Sequence, residues 1–369
     1  MQMKNKIKKA AALFLAVIMC FVLVSCDDTP AVMELEGNEV TAAMYHYWAS
    51  RAKGEYIYSY EDVQNTDECW KKDLGNGQTV AEYFDAVTLQ TVKENLAAMK
   101  LFDEYGLEIT KSEKEGVAGY IGDLIKEYAD GSEKMMNTVL SEYGIDTDIL
   151  EKIYLEETKS TKVYNYLFGE NGKTPVTDKQ YEKSYTEGYV HFQLIYINNS
   201  YSYVEDENGN RVTDDNGVYK TEPLTGKVKE EKDREVAEAE KLLTDGEDFY
   251  TVYEKYSEVK DYENGYYYPV NEAFGDEVFY KLTAAALKME NGEWQKVETD
   301  SGTCFLLKLE LDSGAWKNEK NADFFGDFKD TVKEACYREV LGKYFDKITV
   351  DEEAIKEFSV ALVTPAYTF

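Results

Sequence analysis

Few side chains in this sequence can do chemistry, and their spacing limits what that chemistry can be. There are two histidines, His46 and His191, and five cysteines. Ser257 and Ser301 with His191 invite a nucleophilic reading, but a serine exposed on a strand-to-helix elbow needs Gly-x-Ser-x-Gly, which is absent. Asp206-Glu207-Asn208-Gly209 and Asp214-Asp215-Asn216-Gly217 approach a calcium loop. Counting back from each glycine puts Val204 and Val212 at the first ligand position, and no glutamate fills the twelfth, so both read as solvated turns. Beyond Cys20 and Cys26 the cysteines are Cys69, Cys304 and Cys336; their odd number and spacing fit neither a disulfide scaffold nor a metal site, though one bridge stays open. His46, within Tyr45-His46-Tyr47-Trp48, reads as a helix-surface residue. No cofactor and no metal are implied.

Cys26 stands apart. It follows Leu23-Val24-Ser25 at the end of an apolar run from Ala10, with Lys4, Lys6, Lys8 and Lys9 before it and Asp27-Asp28 after it. These are the positive, apolar and small-residue parts of a secretory signal in order. The run is shorter than the roughly 20 residues that span a bilayer. The cysteine occupies the place of an acylated lipobox residue, so 1–25 reads as a lipoprotein signal peptide and 26–31 as a lipidated tether. Lipidation at Cys26 implies an extracytoplasmic, membrane-anchored protein, since each buried CH₂ contributes about 0.8 kcal/mol. The formal charge of −31 argues against nucleic acid and against electrostatic adhesion to anionic lipid. Basic or neutral partners remain. The 31 tyrosines suit a surface that grips other chains, because tyrosine gives broad amphipathic contact at low entropic cost.

The elements that must position these groups divide the sequence. Apolar and polar residues alternate on either side of Gly37-Asn38, predicting a hairpin, and Thr41 can cap an aromatic-rich helix. A long helix is expected over 79–105, with Gly106 as its C-terminal stop. Thr110-x-x-Glu113 has capping-box spacing, Asp148 to Leu167 continues the helical pattern, and Thr177-Asp178 opens a last short helix. From Gly188 the pattern becomes β-rich over 189–197, two turns at Asn208-Gly209 and Asn216-Gly217 suggest a hairpin extension, and helices follow at 227–243 and 249–256. Gly265 opens an aromatic loop, 283–288 is a short helix and 302–311 a closing strand, giving β-α-α-α-β with a small mixed sheet. An amphipathic helix over 321–346 and a short strand over 358–363 complete the chain.

Residues 188–311 resemble a parvulin-type peptidyl-prolyl isomerase. The likeness rests on the opening β run, Ala239-Glu240-Lys241-Leu242-Leu243-x-x-Gly246-x-Asp248-Phe249, Lys255-Tyr256-Ser257, Gly292-Glu293, and Thr299-Asp300-Ser301-Gly302-x-x-Phe305-Leu306-Leu307-Lys308-Leu309. The flanks resemble secreted foldases of the PrsA and SurA kind, through Leu35-Glu36-Gly37-Asn38-Glu39-Val40-Thr41, Tyr105-Gly106-Leu107-Glu108-Ile109-Thr110-x-x-Glu113 and Val176-Thr177-Asp178 with Tyr185. The resemblance implies an α+β chain: a helical chaperone domain (32–187) completed by the C-terminal segment (313–369), with a parvulin-like domain (188–312) inserted. It also implies unfolded or partly folded secreted polypeptides as partners; a homodimer is left open.

The resemblance places the two usual parvulin histidines at Gln193 and Cys304, with Ser301 and Asp261 at or near the same site. The usual glycine-rich loop is reduced to Gly265-Tyr266-Tyr267-Tyr268, and His191 lies two residues from its expected place. Rotation about X-Pro faces a barrier of roughly 18–20 kcal/mol and needs only a dry pocket that twists the bond and hydrogen-bonds its polarised atoms. Phe279, Ala286, Phe305 and Tyr266, Tyr267 and Tyr268 are the expected proline pocket. Tyr45, Tyr47, Trp48, Tyr83 and Phe84 are candidate client contacts in the helical domain. With both ring positions changed, isomerase activity is expected to be weak or lost. A holdase with a vestigial isomerase module stays open, as does a solute-capturing lipoprotein, which would need two α/β lobes.

Overall fold

The computed structural model describes residues 29–59, 64–75, 77–214, 217–262, 264–270 and 277–367. The signal-peptide and Cys26 expectations lie outside these, as does Asn216. The helical half opens on a hairpin, β1 (Ala31–Leu35) against β2 (Asn38–Thr41), antiparallel. Glu36 and Gly37 both turn through positive φ, 48° and 92°. α1 (Ala42–Ser59) follows, its first turn held by Thr41 Oγ1 accepting from Met44 N at 3.4 Å. After the short α2 (Asp67–Lys71), α3 (Val80–Glu104) and α4 (Lys111–Ala129) both start with reciprocal caps. In α4, Glu113 N donates to Thr110 Oγ1 (3.3 Å) while Thr110 N donates to Glu113 Oε2 (2.7 Å), so two orphan donors are satisfied at once. α5 (Glu133–Leu140) and α6 (Thr147–Phe168) complete this half.

Glu113 also accepts from Lys162 of α6 at 2.8 Å. That ammonium, with the Thr110 donors, pulls the carboxyl from 4.5 down to about 2. Its stabilising effect is therefore fully present above pH 4.5 and lost as pH falls through 2. We expect Glu113→Gln to lower the melting temperature near neutral pH, with the gap to wild type closing between pH 4.5 and 2. A gap constant over that range contradicts the assignment.

In the second half, α7 (Asp178–Gly188) leads into β3 (Tyr189–Ile197), whose far end passes into a two-stranded ribbon of β4 (Tyr201–Tyr203) and β5 (Thr221–Pro223). α8 (Gly226–Thr244), α9 (Phe249–Tyr256), β6 (Tyr266–Pro269), α10 (Glu277–Ala286), β7 (Trp294–Thr299) and β8 (Gly302–Leu309) follow. The sheet order is β6-β3-β8-β7, antiparallel throughout, so the expected mixed sheet of β-α-α-α-β gains two strands and loses its parallel pairing. β3 and β8 lie side by side from His191↔Leu309 to Ile197↔Thr303 without a bulge. Alternation sends Val190, Phe192, Leu194, Cys304 and Leu306 to one face, under Leu282 and Ala286 of α10. Ile195, Ile197 and Phe305 go to the other, under Val236 and Ala239 of α8 and Phe249 and Val252 of α9.

The chain's end returns to the hairpin. α11 (Phe328–Gly342) starts seven residues later than expected, because Asn318 caps a separate 3₁₀ turn over Glu319–Phe324 and Gly326 interrupts the run. β9 (Thr349–Val350) pairs with β1, and α12 (Glu352–Lys356) follows. The expected strand over 358–363 is a turn instead; Val360 is buried and Phe358 half-buried by packing rather than by a ladder. Tyr337 of α11 meets Tyr164 of α6 edge-on at 5.4 Å, and Tyr344 donates to Glu104 at 2.7 Å. Two compact units result: the described chain through Pro175 with Glu334–Phe369, and Val176–Lys333. The borders expected at 187/188 and 312/313 fall inside the second unit, because Tyr181 and Tyr185 of α7 pack on Trp316, Phe325 and Phe328.

Candidate functional site

The central strands β3 and β8 carry the ring positions. Gln193 is 0% exposed, and its carboxamide acts where β6 stops: Nε2 donates to Tyr262 O at 3.0 Å and Oε1 accepts from Leu194 N at 2.8 Å. It completes the ladder that the short edge strand leaves open. Cys304 is also 0% exposed, in the cluster of Phe192, Leu194 and Leu306. Burial pushes its thiol up to about 12, so it stays protonated and is no nucleophile at neutral pH. Cys304 faces the same side as its partner Tyr196, three residues from Gln193, so Gln193 and Cys304 lie on opposite faces of the sheet. They share no hollow.

The other catalytic candidates are likewise engaged or apart. Ser301 O accepts from Tyr196 Oη at 2.7 Å, and its hydroxyl sits 3.0 Å from Thr299 Oγ1. Asp261 is exposed. His191 is buried and stacked on Tyr267 at 4.1 Å, with Nδ1 2.8 Å from Glu310 O and Nε2 2.8 Å from Asn264 O. Gly265 (φ 88°) makes that fit, since a Cβ there would stand 2.7 Å from Phe192 O and 3.1 Å from His191 Nε2. With both ring nitrogens on main-chain carbonyls, the imidazole holds the strand end rather than a substrate. The Ser257, Ser301 and His191 reading gains no geometry, for Ser257 Oγ donates to Val259 O at 2.8 Å.

The expected proline pocket divides. Tyr266, Tyr268, Phe279, Ala286 and Cys304 do converge, with Tyr268 stacked on Phe279 at 4.9 Å. Ala286 (0% exposed), Tyr266 (8%) and Cys304 form packed core, with Tyr268 and Phe279 half-buried against it. Phe305 is a correction, because its side chain enters the opposite face with Val236 and Phe249. Tyr267 points to a third place, donating to Asp312 at 2.9 Å. The sequence reading missed Phe324, whose ring lies 4.6 Å from Tyr262, 5.8 Å from Tyr267 and 6.1 Å from Tyr266. Gly326 was the signal that this aromatic belongs to a separate turn.

In the helical unit, Tyr45, Tyr47 and Trp48 are corrections too: all three are buried beneath the β1–β2 hairpin and α3, and cannot meet a client. Tyr83 is 40% exposed, while Phe84 packs on Tyr56. His46 stacks on Phe358 at 5.3 Å, and burial lowers its pKa. Asp206 Oδ1 accepts from Asn208 N (2.8 Å) and Asn210 N (2.9 Å), the closed turn its sequence suggested. Among the described residues no group of three His, Cys, Asp or Glu side chains is placed to hold a metal. No helix among them is long and apolar enough to cross a membrane.

No protein-family model matches the sequence, and no curated protein matches it significantly. Among solved structures, the chain is similar to PrsA from Bacillus subtilis (18% identity, TM-score 0.23), covering 79% of this chain and 97% of that one. PrsA from Bacillus cereus, described as a peptidylprolyl isomerase, gives 16% identity and TM-score 0.27, covering 78% and 95%. A SurA-like chaperone structure from Campylobacter jejuni gives 8% and 0.23, covering 88% and 100%. At such identities and TM-scores, the functional reading rests on the topology and side chains of the chain itself.

Proposed function

We propose that this protein is an extracytoplasmic foldase of the holding kind, anchored by lipid at Cys26, whose sheet unit keeps a parvulin-like arrangement without isomerase chemistry. The observation that carries the reading is the sheet itself. An antiparallel β6-β3-β8-β7 sheet between helices lies in a segment inserted within a mainly helical unit, with buried, hydrogen-bonded Gln193 and buried Cys304 at its ring positions. Neither Gln193 nor Cys304 is free to polarise an amide, which supports holding over isomerisation. Clients would be unfolded secreted polypeptides, basic or neutral ones favoured by the charge of −31. We expect the mature protein at equimolar ratio to suppress light scattering by a chemically unfolded client diluted from denaturant. Undiminished scattering, together with specific thermal stabilisation by a small solute, would instead favour solute capture.

A further inference from the structure

A cavity of about 670 Å³ opens in the helical unit among the C-terminal end of α3, the start of α4 and the middle of α6. Its apolar lining is Phe102, Ile109 and Leu155. Glu156 of α6 enters the same cavity, and among the described residues no hydrogen bond or salt bridge reaches its carboxylate. Burial raises that carboxyl from 4.5 to about 7, although Lys152 and Lys159 on the same helix pull the other way and Glu157 adds to the rise. Lys152 and Lys159 line the cavity as well, Lys159 with its ammonium 5.6 Å from the Phe102 ring centroid. Lys114 from α4 and Glu108 just before it face the cavity, as do Asp148 and Glu151 from α6. Acids therefore outnumber bases along the wall.

A half-buried carboxylate with no protein donor is stabilised by a cation that reaches it. The donor that suits this place is a cation on an apolar stem: methylenes against Phe102, Ile109 and Leu155, and the head on Glu156. The volume lies in the usual range for such sites, and the net charge of −31 draws basic segments toward it. We propose that this cavity receives a lysine or arginine side chain, flanked by apolar residues, from an unfolded polypeptide held by the helical unit. The proposal rests on the polypeptide-holding function above.

The test uses the whole mature protein and three fluorescent ten-residue peptides, identical and apolar except for a central lysine, norleucine or glutamate. Anisotropy should show the lysine peptide binding about tenfold more tightly than the norleucine one. That preference should disappear in Glu156→Gln, and in the wild type it should grow as pH rises through 7, where the peptide lysine stays charged. Equal binding of lysine and norleucine peptides, preference for the glutamate peptide, or a preference unchanged in Glu156→Gln overturns it. Aggregation suppression without the lysine preference defeats this inference alone; loss of both suppression and peptide binding defeats the holding function with it.

Discussion

Gly54→Ala should destabilise the helical unit by on the order of 3 kcal/mol, although glycine to alanine inside a helix ordinarily adds up to about 1 kcal/mol of stability. The sign reverses because a Cβ on Gly54 would overlap Ala366 O and stand 2.5 Å from its carbonyl carbon, a clash with main chain that no rotamer relieves. The C-terminal segment must then leave α1. Its anchors are Ala366 N to Ser50 O (2.8 Å), Lys53 Nζ to Val363 O (2.8 Å) and Val360 N to Asp85 Oδ1 (2.7 Å), with Ser359 Oγ donating to Asp85 Oδ2 (2.7 Å). Departure uncovers Val360, Val363 and Ala366 and removes the carbonyl acceptors of buried Lys53. Thermal unfolding with limited proteolysis of the tail measures this. A melting temperature equal to or above wild type would show that the tail does not close on α1.

Placing histidine at both strand positions, Gln193→His with Cys304→His, should cost about 3–6 kcal/mol and produce no isomerase. Each side chain is fully enclosed, so an imidazole in place of a thiol overpacks the cluster of Phe192, Leu194 and Leu306. Losing the Gln193 carboxamide orphans Leu194 N and leaves Tyr262 O with Gly265 N as its donor. The two new rings would also face opposite sides of the sheet and could not act on one bond. Denaturant unfolding of the variant gives the stability, and a proline reporter peptide gives the activity. A variant as stable as wild type that accelerates isomerisation would overturn the placement of both residues.

Local chemistry made much of the fold legible. Thr110-x-x-Glu113 and Thr177-Asp178 state their caps in the sequence, and the β3 run with the turn at Gly37 needs no distant partner to be recognised. What stayed hidden depends on pairing across long separations. β6 is a tyrosine-rich stretch of four residues that becomes a strand only because β3 lies beside it, and β9 has two residues paired to β1. The opposite directions of Cys304 and Phe305 follow from adjacency on a strand and were readable. The separation of Gln193 from Cys304 was not, because it depends on register between strands over 100 residues apart. Tyr45, Tyr47 and Trp48 read as contact surface from composition, yet the hairpin before them and the returning chain end cover α1.

We propose that the inserted sheet unit keeps a parvulin-like arrangement without isomerase catalysis. The most direct measurement is the cis-to-trans rate of a proline-containing reporter peptide, with the full mature protein added at increasing concentration. The uncatalysed rate should persist throughout, while the same preparation suppresses client aggregation. A rate that climbs with protein concentration to the level of a histidine-bearing parvulin would contradict it.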